Sequence, residues 1–157
     1  MMYSYDLFEP SADLNASLDL LTTKFAPIYT ESWVKEKAPR KGNPPFDMNV
    51  NSFANMWFSK AMKLIVAYDE RQDICGYLLG IVFTPMTYKA TVFHVEDWYD
   101  RGVREVGDGL FTYTQNAMRF LGVDEVWISH SPHEQVPSVM NSWNIIGTTY
   151  VDCYKKK

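Results

Sequence analysis

Between residues 89 and 130 a strand, a helix and a second strand follow one another without a break, and this forces a parallel strand pair into the fold. The stretch Tyr99-Asp-Arg-Gly-Val-Arg-Glu-Val-Gly-Asp-Gly109 leaves a strand-like segment. Residues 110–121 then carry the helical period and Gly122 closes them. Residues 123–129, Val-Asp-Glu-Val-Trp-Ile-Ser, read as a strand. This is a βαβ crossover, so strands 89–99 and 124–130 must run parallel through a right-handed connection. The basic, glycine-spaced turn at the mouth of the helix offers unpaired backbone N–H groups and a positive helix end, which attract an anion such as phosphate.

The flanking chain supports that unit. Ser11 is the predicted N-cap of a first helix with Leu14, Leu18, Leu21 and Phe25 on one stripe, and Pro27 ends it. Pro27, Pro39, Gly42, Pro44 and Pro45 make 26–50 a loop, with a short helix over 29–37. A second helix is expected over 51–62, through Phe53, Met56 and Trp57. The period then becomes strand-like: 63–68 and 74–83 are apolar runs joined by a polar turn at 69–73, a hairpin signal. In the strand 89–99, simple alternation puts Val92, His94, Glu96 and Trp98 on one face and Phe93, Val95, Asp97 and Tyr99 on the other. The helix of the crossover should bury Leu110, Ala117, Phe120 and Leu121. A short helix over 137–146 and a closing strand over 148–154 complete the order, with no internal repeat.

At 157 residues the chain suits one domain, 1–157, able to bury a core without staples. Its two cysteines, Cys75 and Cys153, cannot form a bridge framework or a four-cysteine metal site, and Cys75 falls in an apolar run as a core residue. No metal site is expected: His94, His130 and His133 lack a well-spaced acidic or cysteine partner. The net charge of −4 argues against a nucleic-acid interface, and the basic cluster between Lys35 and Lys41 reads as a solvated loop. Without a signal-like start or a bilayer-length apolar run, the expectation is a cytoplasmic protein with no membrane contact. An aromatic fraction of 15% exceeds what the regular patterns use, which suits a pocket lining or a homodimer contact.

Arg104-Glu-Val-Gly107-Asp-Gly109, preceded by Glu96-Asp-Trp-Tyr99 and followed by Ala117-Met-Arg-Phe-Leu-Gly-Val-Asp-Glu-Val-Trp-Ile128, resembles the pyrophosphate-loop region of the GNAT acyltransferase superfamily. That resemblance implies an α/β fold of GNAT type: a mixed sheet of five to seven strands with helices on both faces. It further implies acetyl-CoA as co-substrate and direct transfer of an acetyl or related acyl group to an amine, on a small molecule or a protein. Arg104, Glu105, Val106, Gly107, Asp108 and Gly109 would hold the pyrophosphate, and the backbone near Trp98 and Tyr99 the pantetheine arm. Glu96 or Asp97 would take the proton of the amine. Where the family commonly has a tyrosine that protonates the departing thiolate, this chain has Trp143; Val136 stands in place of a common asparagine, and Thr148 where an aromatic residue often follows the last glycine. Those departures, with Glu105 and Asp108 in the phosphate loop, point to the alternative of a catalytically inactive GNAT-fold binding or structural protein.

Overall fold

The computed structural model describes residues 2–40, 42, 45–129, 144–146 and 149–153, the last two groups by backbone alone. Among the described residues seven strands form one sheet in the order β1-β2-β3-β4-β5-β7-β6. They are β1 (Ser4–Leu7), β2 (Met62–Tyr68), β3 (Ile74–Phe83), β4 (Val92–Tyr99), β5 (Glu125–Ser129), β6 (Asn144–Ile146) and β7 (Thr149–Cys153). The hairpin β2–β3 and the pair β3–β4 are antiparallel, and β4 with β5 is the parallel pair required by the crossover. Edge strand β1 carries no turn signal or long apolar run and went unpredicted; it pairs antiparallel with β2. Residues 144–146, expected at the end of a helix, are instead a strand pairing with β7. Two consecutive isoleucines, stiff at χ1, suit a hairpin arm better than a helical turn. Residues 137–143 of that expected helix lie outside the described residues.

Successive residues of β2 and β3 point to opposite faces, giving the sheet a core on each side. On one, Ile65, Ala67, Cys75 and Leu78 meet Val106, Leu110, Phe111 and Met118 of α5 (Arg104–Phe120). Fully burying side chains such as Leu110 and Phe111 contributes about 1.5–3 kcal/mol each. The α5 stripe thus runs through 106, 110, 111, 114 and 118; Phe120, two residues out of phase, is 89% exposed, against expectation, and Leu121 is also exposed. On the other face Leu64, Val66, Tyr77 and Leu79 pack against Leu21, Phe25, Ile28 and Trp57. Phe25 anchors this side, its ring centroid 5.2 Å from Tyr77, 5.3 Å from Tyr29 and 5.4 Å from Phe53.

The largest departure from expectation is helical structure running unbroken from 14 to 40, where a loop was predicted from residue 26. It comprises α1 (Leu14–Leu20), a π turn (Leu21–Phe25), α2 (Ala26–Ser32), a second π turn (Trp33–Lys37) and α3 (Ala38–Arg40). Each π turn ends on an Ala-Pro pair: the Ala26 N–H donates to the Leu21 carbonyl and the Ala38 N–H to that of Trp33, just before Pro27 and Pro39. A proline inside an α-helix lacks a donor and clashes with the carbonyl four residues back; a wider turn there relieves both faults. Asp13, not Ser11, is the N-cap, accepting from the Ala16 N–H at 3.1 Å. Helix α4 (Val50–Phe58) ends before Met62, which opens β2.

Candidate functional site

The pairing of β4 with β5 ends one residue before the described part of β5 does. Their parallel register runs from Val92–Glu125 to Val95–Ile128 and stops, whereas β4 keeps its partner β3 through Tyr99. At the same place β4 carries a bulge: Leu79 pairs with Asp97 and Gly80 with Val95, leaving Glu96 without a β3 partner. An extra residue shifts the side-chain alternation by one. Phe93 and Val95 therefore share the α5 side with Trp98, whose ring meets Phe111 edge-on at 5.5 Å. Asp97 and Tyr99 turn instead to the side of the 14–40 helix. The face assignment made from strict alternation is corrected from Asp97 onward.

The two candidate bases thereby receive different surroundings. Asp97 is committed to the protein: Lys37 Nζ lies 2.7 Å from its Oδ1, and the Tyr77 hydroxyl donates to its Oδ2 at 2.7 Å. Lys37 Nζ also donates to Ser32 Oγ at 2.9 Å and to the Trp98 carbonyl at 3.3 Å. Burial, and next the Asp97 carboxylate, push the Tyr77 hydroxyl far above its ordinary range, so it remains a donor. Lys37 is thus part of a half-buried network rather than of a solvated loop. Glu96, by contrast, is partly exposed, with Oε1 3.0 Å from Nδ1 of His94.

Glu96 also lines a cavity of about 490 Å³. Tyr29, Trp33, Phe46, Phe53, Met56 and Ile81 form much of its wall, and Asp47 adds a second carboxylate. An apolar chamber with two acids at its edge suits a cation carried on an apolar body. Of these residues Glu96 is the candidate that the sequence names for the site, and the aromatic excess of the chain is the signal for Tyr29, Trp33, Phe46 and Phe53.

Arg104 to Gly109 form the opening turns of α5 rather than a loop. The N-cap, Val103, supplies no side-chain cap, Val106 and Gly107 both donate to the Val103 carbonyl, and Arg104 is 79% exposed. An uncapped helix end beside an exposed guanidinium can attract an anion. Three carboxylates oppose it. Glu105 opens the helix, Asp108 lies 3.9 Å from Arg104, and Asp100 accepts the Gly102 N–H at 2.8 Å while its other oxygen sits 2.5 Å from where a Cβ on Gly107 would be. Gly109 likewise faces protein, for a Cβ there would overlap the Tyr5 ring and hydroxyl. Arg101, which lies before the helix, is paired with Glu31 at 2.8 Å. Trp143, Val136, Thr148, His130 and His133 lie outside the described residues. Among the described residues no group of three or more His, Cys, Asp or Glu side chains gathers to hold a metal ion, and no helix is long and apolar enough to cross a membrane.

No protein-family model matches the chain, and no curated protein matches it. Solved structures do. A "probable acetyltransferase" superposes with a TM-score of 0.61 at 17% identity, covering 87% of this chain and 83% of its own. An aminoglycoside acetyltransferase from an uncultured soil metagenomic sample, in complex with sisomicin, gives 0.59 at 16% identity, covering 83% and 78%. A transcriptional regulator from Bacillus halodurans C-125 gives 0.57 at 17% identity, covering 85% of each chain. The mixed sheet, antiparallel but for the pair β4–β5, has the fold of these solved acetyltransferase structures.

Proposed function

We propose that the protein transfers an acetyl or related acyl group from a CoA thioester to an amine by direct attack. The observation that carries this reading is the placement of Glu96 on the β4 bulge, just past the last β4–β5 pair and on the wall of the aromatic cavity. The thioester supplies an already activated acyl group, so the chain has to position its partners and move a proton. The aromatic wall with Glu96 and Asp47 would hold the acceptor as an ammonium ion, and Glu96 would take the proton that attack requires it to lose. Asp97, tied to Lys37 and Tyr77, would instead fix the strand beneath. The α5 end with Arg104 would hold the diphosphate, and the β4 backbone at Trp98 and Tyr99, past the last β5 partner, the pantetheine arm. One sheet with a core on each face supports reading 1–157 as a single domain, and the cytoplasm suits it as location.

Acetyl-CoA should raise the melting temperature. Ligand at a hundredfold its Kd adds about 2.7 kcal/mol, roughly 5–10 °C for a domain of this size. Arg104→Ala should shrink the shift, and Glu96→Gln should leave it intact while lowering thiol release against an amine panel about 10²-fold. No shift at millimolar acetyl-CoA rules the reading out. A second reading, a GNAT-fold binding protein without turnover, is favoured by the Asp100 carboxylate at the α5 end. Asp100→Asn separates the two. Under the enzyme reading it tightens acetyl-CoA binding about fivefold, the equivalent of about 1 kcal/mol of repulsion, and turnover persists; under the second no amine is acylated by either form.

A further inference from the structure

We propose that Ser129, His94 and Glu96 form a nucleophilic triad, giving the protein a second acyl-handling activity, cleavage of small activated esters and thioesters through an acyl-serine. Ser129 ends β5 and Glu96 sits on the β4 bulge, each being the first residue past the last β4–β5 pair. His94 lies between them, with Nε2 3.3 Å from Ser129 Oγ and Nδ1 3.0 Å from Glu96 Oε1. Nucleophile, base and carboxylate thus stand in the order that activates a hydroxyl, at the slightly long spacing common in sites without substrate. The imidazole is held edge-on by Phe83 at 6.5 Å and Trp127 at 6.4 Å, and Trp127 Nε1 donates to Glu125 at 3.2 Å.

The chemistry balances without a further reactant. Ser129 Oγ attacks the carbonyl carbon, and its proton passes to Nε2 of His94 while the Nδ1 proton stays on the imidazole, hydrogen-bonded to Glu96. The carbon–oxygen bond of an ester, or carbon–sulfur bond of a thioester, breaks, and the leaving group departs with the proton from Nε2. Water then attacks acyl-Ser129, again giving its proton to His94, and the carboxylic acid leaves as the hydroxyl is restored. This route serves when no amine fills the cavity; with an amine present, Glu96 serves the direct transfer.

The test uses the full chain with p-nitrophenyl acetate and, separately, an alkyl fluorophosphonate. Intact-mass and peptide analysis should find one acetyl or phosphonyl group on Ser129 of the folded protein. Ser129→Ala should abolish the adduct, and His94→Gln should slow its formation about 10³-fold. Glu96→Gln, a near-isosteric change at an exposed site, should slow it at least tenfold while circular dichroism stays native. No adduct on the native chain, an adduct on another residue, or a rate unchanged in His94→Gln overturns the triad. Acyl-Ser129 without stabilisation by acetyl-CoA removes the CoA reading and leaves the triad standing. Stabilisation and amine acylation with Ser129 unmodified do the reverse.

Discussion

Gly109 and Gly107 illustrate how a motif residue acquires its meaning from what stands opposite. Both belong to a spacing that evokes a phosphate cradle, yet Gly109 lies under the Tyr5 ring and Gly107 beside Asp100. Tyr5 is fixed in turn: its hydroxyl donates to the Glu105 carbonyl at 3.3 Å and its ring stacks on Tyr113 at 6.5 Å. Gly109→Ala should therefore cost about 1–3 kcal/mol in urea unfolding, and Tyr5→Ala in the same chain should recover part of it. Gly107→Ala meets only the movable end of Asp100 and should cost less. The glycine spacing was visible in the sequence; Tyr5 was not, because its strand is four residues long and sits 100 positions away from Glu105.

At the scale of elements, the bulge of β4 decides which side chains share a face, and nothing in the sequence marks it. Residues 92–99 alternate well enough to be taken for a regular strand, and the extra residue is set by the fit to β3 opposite. Gly80 is central to that fit, because a Cβ there would meet the Phe93 ring and lie 2.6 Å from the His94 carbonyl. Backbone cannot yield as a side chain does, so Gly80→Ala should destabilise by about 2–3 kcal/mol and disturb the His94–Glu96 contact, which ¹⁵N NMR of the imidazole would register. A second element-level tie joins the 14–40 helix to the turn before α5 through Glu31 and Arg101. Burial alone would raise the Glu31 pKa, but the bonds from Arg101 and Tyr99 outweigh it and hold it below its ordinary 4.5. A carboxyl lowered in the folded state stabilises above its unfolded pKa and loses that contribution as pH falls through the folded value. Melting temperature should accordingly drop with acid below about pH 4.5 in the native chain, and less steeply in Glu31→Gln.

For the molecule as a whole, both cores draw on the same two strands: Ile65 and Leu78 face α5 while Leu64 and Leu79 face the other helices. Neither layer can melt without exposing the back of the other. Urea unfolding followed by tryptophan emission and by far-ultraviolet circular dichroism should give coincident curves; separate midpoints would contradict the shared sheet. The sheet itself was legible, since runs such as 74–83 and the βαβ unit declare their period and their ends. The long helix was hidden because prolines at 27 and 39 ordinarily terminate one, and the sequence does not announce the wider turns that admit them. Those turns have a further effect on the angular phase of the helix. Each residue advances a helix by about 100°, and the five-residue spacing at Trp33–Lys37 sets the azimuth at which Lys37 reaches Asp97 on the face of the sheet turned toward it. Removing a single residue from that turn would keep every side chain downstream but point it elsewhere, so the helix works as a dial whose setting matters more than its length.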